Sequence, residues 1–232
     1  MRFGRLPGAA GRAAVNPLAE FLSAILFFFF FDFSPFFVEG RCMTRTSLAL
    51  ALYAACTWAH AEPATYMVDP GHSSVTWEAL HLNTSSMRGR FLVKEGSVTI
   101  DRAARTGKAD VTLEMASLAG ATVPGFDAAL RGERGFNIAA FPTARFVSDG
   151  FTLDGDKAQT VPGTLTLLGK SLPVTMQAVR FNCYQNQTVK REVCGGDFET
   201  TISRSQFGVN LGGGGASDNI KLLVQVEAIK AQ

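Results

Sequence analysis

Histidine and cysteine are scarce in this sequence, with 3 histidines and 4 cysteines among 232 residues. His72 and His81 have no third ligand at a suitable spacing, and Cys183 and Cys194 have no histidine beside them. Because zinc sites need three or four such ligands, neither pair predicts a metal site. The spacing of Cys183 and Cys194 also differs from C-x-x-C, the motif of redox-active thiols. We therefore expect no bound metal and no thiol redox chemistry.

Motifs for catalysis and for phosphate binding are missing as well. The run Gly71-His72-Ser73-Ser74-Val75 is not the Gly-x-Ser-x-Gly turn of a hydrolase nucleophile. The glycines at 212–215 lack the Lys-Ser/Thr pair and the following helix of a phosphate-binding loop. A serine, histidine and aspartate set can be picked from any chain of this size and carries no weight without geometry. The sequence therefore predicts no enzyme, no catalytic residue and no cofactor.

A surplus of charge is also missing from most of the chain. Five of the 22 Lys and Arg and three of the 20 Asp and Glu lie in residues 1–61, which leaves 17 of each sign in residues 62–232. A neutral chain without Lys/Arg clusters has no electrostatic footprint for nucleic acid. We therefore expect no nucleic-acid partner, and the 171 residues that follow residue 61 suit one domain with a sizeable core.

The segment from Met43 to Ala61 has the order of a secretory signal peptide. Arg45 supplies the positive charge, residues 47–58 the apolar core, and Ala59-His60-Ala61 the small-x-small cleavage site. A signal peptide stands at the N-terminus of its chain. We therefore interpret Met43 as the start of the protein and residues 1–42 as a mis-annotated extension.

Residues 21–38 allow a rival interpretation, a membrane anchor, because they include a phenylalanine run at 27–31. Asp32, Ser34 and Pro35 interrupt this stretch, which falls short of the roughly 20 apolar residues of a spanning helix. We accordingly expect the domain at residues 62–232 to be periplasmic, without a stable membrane anchor. An exported domain with only Cys183 and Cys194 predicts one disulfide, which in the chain-entropy model contributes roughly 3 kcal/mol.

The dominant period after residue 62 is two. Apolar and polar side chains alternate over residues 74–78, 87–94, 109–115 and 220–228, and turn residues separate the runs. About eight such strands predict an all-β fold of antiparallel sheets, either a closed barrel or a sandwich. One stretch, 124–135, departs from this pattern and predicts a short helix with Phe126 and Leu130 on one face.

A series of motifs runs through the β region in a fixed order. The first motif comprises Tyr66, Asp69, His72, Ser73, Val75, Trp77 and His81, and the second Gly89 and Phe91. In the middle of the chain follow Gly163, Leu165, Thr166 and Gly169, and then Pro173-Val174. The last motifs are Ile202, Arg204, Phe207 and Gly208, then Ser217 and Asp218, and finally Glu227 and Ala228. Each motif is weak alone, but their order and spacing from Tyr66 to Ile229 resemble the YceI-like polyisoprenoid-binding family. That resemblance implies an eight-stranded antiparallel lipocalin-like barrel that holds an isoprenoid chain inside.

The resemblance has gaps around the predicted helix. The family's Asp-x-His-Leu stands here as Asp127-Ala128-Ala129-Leu130, its Asp-Phe-Phe-Asp as Arg134-Gly135-Phe136-Asn137, and its Tyr-Pro as Phe141-Pro142. These departures concern the polar contacts at one end of the barrel. They affect which lipid headgroup the barrel would bind more than they affect the fold.

Strand parity and the helical region give a set of inward-facing apolar residues that would line the ligand pocket. The set is Val75, Trp77, Phe91, Val111, Leu113, Phe126, Phe136, Phe146, Phe151, Leu165, Leu167, Ile202, Val224 and Val226. An alkenyl tail suits such walls, because each buried methylene contributes roughly 0.8 kcal/mol. The alternative is that these residues fill a core, and periodicity does not decide between the two.

Two polar residues are candidates for contact with a headgroup. Arg204 near a barrel mouth would hold a phosphate or a quinone oxygen, or else pair with Asp218 or Glu199 on the outer face. His72 would contact a headgroup, or else form a structural hydrogen bond at the start of a strand.

The sequence thus predicts a periplasmic carrier of a polyisoprenoid, such as a prenyl quinone or a prenyl phosphate. An enzyme that acts on such a lipid and a ligand-free stress-response module are the alternatives. A homodimer is left open.

Overall fold

The computed structural model describes residues 62–120, 125–211 and 213–232. Our predictions of an extension over residues 1–42 and a signal peptide over residues 43–61 lie outside the described residues. The same holds for the start of the predicted helical segment at Pro124 and for Gly212 in the glycine run.

Ten antiparallel strands account for most of the described chain. They are β1 (Ala64–Val68), β2 (Ser74–His81), β3 (Ser85–Asp101), β4 (Thr106–Ala119), β5 (Thr143–Asp154), β6 (Lys157–Ala158), β7 (Thr160–Leu167), β8 (Lys170–Asn186), β9 (Arg191–Ser203) and β10 (Ala216–Lys230). Sequential strands pair from β2 to β5, then β5 pairs with β7, β7 with β8 and β8 with β9. Because β10 pairs with both β9 and β2, eight strands form a closed ring. The prediction of an all-β, lipocalin-like fold is confirmed.

The two remaining strands do not add positions to the ring. Strand β1 lies between β3 and β10, the same neighbours as β2, so β1 and β2 are two parts of one interrupted strand. Strand β6 is two residues long and pairs only with the end of β5. The alternation in the sequence sets which side chains face inward. In β2, for example, Val75, Trp77 and Ala79 are buried while their neighbours are partly or fully exposed.

Two short helices interrupt the strands. Helix α1 (Phe126–Arg131) lies within the predicted helical segment, and Arg131 attaches it to β4 by donating to the carbonyls of Ala116 and Leu118. Helix α2 (Arg204–Phe207) was not predicted, because a single turn has no periodic pattern to detect. It ends at Gly208, whose φ of 92° lies in the left-handed region that glycine tolerates best. No helix among the described residues is long and apolar enough to span a bilayer.

The predicted disulfide is present. Cys183 and Cys194 face each other on β8 and β9, with 11 residues of sequence separation, and their sulfurs are bonded. The bond therefore links two neighbouring strands of the ring across the turn that joins them.

A one-turn 3₁₀ helix, Pro70–His72, separates β1 from β2, and polar side chains stabilise this break in the strand. Asp69 accepts hydrogen bonds from the backbone N–H of Gly71 at 2.9 Å and from Nδ1 of His72 at 2.7 Å. The buried hydroxyl of Ser73 bonds to both the N–H and the carbonyl of Glu227 on β10. These contacts supply hydrogen-bond partners to backbone groups at the point where the strand pairing is interrupted.

Three aromatic rings lie flat against glycines of a neighbouring strand. Trp77 covers Gly89, Phe151 covers Gly107 and Phe146 covers Gly163. A Cβ atom at Gly89 would lie 2.5 Å from Cζ2 of Trp77, and one at Gly163 would lie 2.5 Å from Cζ of Phe146. The rings therefore occupy the space that side chains at these positions would take. They line the wall of the ring and do not fill its centre.

The Asp69–His72 contact predicts the titration of His72. Its hydrogen bond to Asp69 raises the pKa of His72 above 6.5, and the same bond lowers the pKa of Asp69 below 3.8. The contribution of His72 to stability is therefore present below pH 6.5 and is lost as the pH rises through its raised pKa. That of Asp69 is present above pH 3.8 and is lost as the pH falls through its lowered pKa. In an NMR titration of the imidazole, Asp69→Asn should lower the pKa of His72 toward 6.5.

The control for that titration is Asp101→Asn, which removes a carboxylate that also caps a backbone N–H, in the turn between β3 and β4. It should leave the titration of His72 unchanged. A His72 pKa of 6.5 in the unmodified protein, or a His72 pKa that Asp69→Asn leaves unchanged, would contradict the hydrogen bond between Asp69 and His72.

The packing of Trp77 over Gly89 predicts the cost of adding a methyl group there. Gly89→Ala should lower the free energy of unfolding by about 1–3 kcal/mol, because the indole or the strand must shift. Gly150→Ala is the matched control. It adds the same methyl to a strand glycine with nothing within 4 Å, and should stay within about 0.5 kcal/mol. Urea unfolding followed by circular dichroism compares the two, and equal stabilities would refute the packing argument.

Candidate functional site

The ring encloses two adjoining apolar cavities. Chamber 1 has a volume of about 120 Å³ and chamber 2 of about 100 Å³. Their walls share four residues, which we call the waist: Val75 of β2, Leu113 of β4, Leu165 of β7 and Leu222 of β10. The waist therefore marks where the two chambers adjoin.

All the apolar residues predicted from strand parity and the helical region line one chamber or both. Val75, Leu113 and Leu165 belong to the waist. Chamber 1 adds Val111, Phe146, Phe151, Val224 and Val226, and chamber 2 adds Trp77, Phe91, Phe126, Phe136, Leu167 and Ile202. The cavities indicate that these side chains do not fill the interior. That they contact a ligand stays a prediction.

Several wall residues were missed by the sequence analysis. Strands β8 and β9 contribute Met176, Phe181 and Phe198 to chamber 1, and β10 contributes Leu222 to the waist. Leu222 lies in the alternating run of β10 and was detectable from its period. A shift in register between Ala178 and Arg180 interrupts the pairing of β8 with β9, so parity along β8 does not give the facing residues correctly.

A polar cluster lies at the wall of chamber 1. The hydroxyl of Tyr66 donates to Oε2 of Glu192 at 2.7 Å and accepts from Nη1 of Arg102 at 3.1 Å. Arg102 also donates to Oε1 of Glu192 at 2.7 Å. Burial, followed by the hydrogen bond to Glu192, raises the pKa of Tyr66. The hydroxyl is therefore neutral and engaged, and the face of Tyr66 that lines the chamber is its apolar ring.

Helices α1 and α2 contribute to the wall of chamber 2. Phe126 and Leu130 of α1 line the chamber together with Val209 and Leu211, which follow α2. The rings of Phe91 and Phe136 meet edge to face in this chamber, with centroids 5.0 Å apart. The segment predicted to be helical therefore contributes directly to the wall.

Arg204 holds the chain that follows α2 in place. An arginine has five N–H donors. In this structure they bond to five backbone carbonyls at 2.8 to 3.3 Å, those of Val209, Leu211, Gly213, Ala216 and Ser217. The side chain lines chamber 2, but it has no N–H left to offer to a ligand in this conformation.

The two predicted headgroup contacts thus have structural roles in this geometry. Arg204 stabilises the segment at 209–217, and neither of its expected ion-pair partners engages it. Glu199 pairs with Lys221 at 2.8 Å, and Asp218 accepts from Ser203 and Ser205. His72 lies outside both chambers, with 65% of its side chain exposed.

One group of potential metal ligands occurs among the described residues: Cys183, Glu192 and Cys194 lie within 4.8 Å of one another. Because the two sulfurs form the disulfide, the group offers only the carboxylate of Glu192, which Tyr66 and Arg102 already use.

Known proteins are similar to this chain in sequence and in fold. The model of the YceI-like domain matches residues 66–228. A UPF0312 protein of Pseudomonas putida strain W619 is 32% identical over 192 residues, which cover 81% of this chain and 98% of the relative. A UPF0312 protein of Shewanella denitrificans is 31% identical over 170 residues, or 72% of this chain and 88% of the relative.

Solved structures are similar as well. BcnA of Burkholderia cenocepacia has a TM-score of 0.55 at 24% identity and covers 69% of this chain and 99% of its own, which is a likeness of fold. The YceI protein of Campylobacter jejuni has a TM-score of 0.53 at 25% identity, with 66% of this chain and 90% of its own covered. With the family model matched over most of the ring, this chain belongs to the YceI-like family.

Proposed function

We propose that the protein binds a polyisoprenoid lipid inside the ring and carries it through the periplasm without transforming it. The observation that carries the proposal is the pair of adjoining chambers, whose walls are almost wholly apolar side chains. A ring of eight strands has an interior that side chains fill or that holds one small ligand. Here the aromatic rings are packed against the wall, which favours the second arrangement.

The size of the chambers favours a slender ligand. An engineered apolar cavity of about 150 Å³ takes up benzene, and each chamber is smaller than that cavity, so the part of a ligand within one chamber must be slender. A chain that passes the waist occupies both chambers. A repeating branched chain of five-carbon units meets this condition, because it is long enough to extend through both chambers.

The chamber walls favour binding over chemistry. Tyr66 and Arg204 are the lining residues with ionisable side chains, and their polar atoms are engaged with Glu192, Arg102 and backbone carbonyls. A general acid or base needs to reach the reacting group. An enzyme acting on the same lipid would therefore require these networks to open. A ligand-free module is disfavoured because an unfilled interior forgoes packing energy.

Export to the periplasm is part of the proposal. The signal-peptide pattern at residues 43–61 and the disulfide between Cys183 and Cys194 both support it, since disulfides persist in oxidising compartments.

The test is native mass spectrometry, with organic extraction, of the chain expressed from Met43 and purified from the periplasm. A stoichiometric prenyl lipid, which the extract identifies, is the expected result. An empty protein that also fails to bind an added prenyl quinone would overturn the proposal.

Neighbouring leucines on β10 supply a matched pair of variants. Leu222 belongs to the waist and Leu223 is exposed on the outer face. Leu222→Phe narrows the passage and should weaken binding of a prenyl chain by about tenfold. Leu223→Phe makes the same change outside and should leave the affinity unchanged. Titration of each variant with a prenyl quinone measures the two affinities. An equal loss of affinity in both variants would place the lipid outside the ring.

A further inference from the structure

We propose that the tip of the β2–β3 hairpin docks on a lipid bilayer, and that the ring takes up its lipid from that surface at the end where chamber 2 lies. The tip comprises residues 80–84, with Leu80 and Leu82 as its large apolar side chains. The uptake step rests on the proposed function, because it assumes that a lipid enters the ring. The docking step is measurable on vesicles that contain no prenyl lipid.

The first observation is the exposure of the two leucines. Leu82 is 65% exposed and Leu80 is 45% exposed, and Leu82 has the highest exposure among the large apolar side chains of the described residues. A single exposed leucine is ordinary on a protein surface. Here two leucines stand two residues apart at the tip of one hairpin, and about half or more of each side chain is open to solvent.

The second observation is the backbone conformation of the turn. Leu82 and Asn83 have φ angles of 49° and 54°, and the N–H of Thr84 donates to the carbonyl of His81 at 2.9 Å. A tight turn with positive φ at both central residues favours Asn, Asp or Gly at these positions, because a larger side chain is strained there. Leu82 therefore favours neither the conformation of the turn nor the burial of apolar surface. We attribute the presence of leucine to a partner outside the chain.

The tip lies beside chamber 2. The backbone N–H of Leu82 donates to the carbonyl of Gly215 at 2.9 Å, and that of Leu80 donates to the hydroxyl of Ser217 at 3.0 Å. The same hairpin contributes Ala79 to the wall of chamber 2. A surface that contacts the tip is therefore next to the segment that covers this chamber.

The chemistry of the tip suits a bilayer. Residues 79–87 contain no Asp, Glu, Lys or Arg, so docking removes no such charge from water and nothing acidic repels an anionic lipid. The carbonyls of His81 and Leu82 accept hydrogen bonds from the N–H and the hydroxyl of Thr84. Since unsatisfied backbone groups are costly in hydrocarbon, a turn closed by its own hydrogen bonds is suited to the boundary between headgroups and acyl chains.

A protein partner fits the tip less well. Binding energy at protein interfaces is concentrated in Trp, Tyr and Arg, and residues 79–87 contain none of these. A bilayer is also the source of the proposed ligand, because a long apolar chain partitions out of water into hydrocarbon. The occupant that the tip favours is therefore the membrane that holds the lipid.

The first experiment detects docking directly. The chain is expressed from Met43, purified from the periplasm and mixed with vesicles of brominated phosphatidylcholine, whose bromine quenches a nearby indole. In Leu82→Trp, we expect the fluorescence of the added tryptophan to be quenched, because an indole at the tip enters the interface. Val189→Trp is the matched control, since Val189 is an exposed apolar residue in the β8–β9 turn at the opposite end of the ring. Its fluorescence should not change.

The second experiment removes the apolar side chain. In Leu82→Asn, the rate at which the protein takes up a prenyl quinone from phosphatidylcholine vesicles should fall about tenfold, the effect of one leucine that no longer leaves water. Its affinity for a prenyl quinone supplied without vesicles should be unchanged. Because Asn is favoured at this position of the turn, the midpoint of urea unfolding should stay the same or rise. A leucine with a structural role would instead give a less stable variant.

Val189→Asn makes a similar exchange at the far end and should leave the rate of uptake unchanged. An equal loss of rate in Val189→Asn and Leu82→Asn, or equal quenching in the two tryptophan variants, would overturn a docking surface at the tip. A Leu82→Trp variant that the vesicles do not quench would also overturn it. Uptake of the quinone that Leu82→Asn does not slow would overturn this inference alone. Docking on vesicles without binding of any prenyl quinone would instead overturn the proposed function.

Discussion

The open interior depends on the packing of aromatic rings against glycines of the neighbouring strand. Trp77, Phe146 and Phe151 are large enough to fill the centre of an eight-stranded ring, but each lies flat where the adjacent strand has no side chain. The glycines therefore set the direction of the rings, and the rings form a smooth apolar wall. Rings packed in this way take up space that the neighbouring strand leaves vacant, and they line the two chambers.

Most polar groups near the interior are satisfied by their neighbours, and the buried exceptions among the described residues are Nε1 of Trp77 and Oγ of Ser148. Arg204 uses backbone carbonyls, Tyr66 uses Glu192 and Arg102, and the interrupted strand before β2 uses Asp69 and Ser73. Buried polar groups that are paired in this way cost little. They also leave the apolar surface of the chambers free of competing donors and acceptors, so a ligand meets hydrocarbon along most of its length.

Much of this could be predicted from the sequence, and the exceptions have physical reasons. Alternation of period two gives the facing side chains wherever strands pair in regular register, so the predicted wall residues do line the chambers. The register shift between Ala178 and Arg180 breaks the parity of β8 before Phe181, which was missed. The environment of Arg204 was not detectable either, because backbone carbonyls have no signature in a sequence. The predicted partners of Arg204 were a headgroup oxygen, Asp218 or Glu199, and the structure shows backbone carbonyls instead.

Affinity and selectivity have different physical origins in such a site. Every methylene buried in the chambers contributes about 0.8 kcal/mol whatever molecule it belongs to, so the apolar walls favour any slender chain. Discrimination requires a group whose loss of a partner is costly. Tyr66 and Arg204, the lining residues with ionisable side chains, already bond to protein groups, so neither is free to make that distinction. These walls therefore favour a ligand by how well its chain fills the two chambers, and not by a charged head.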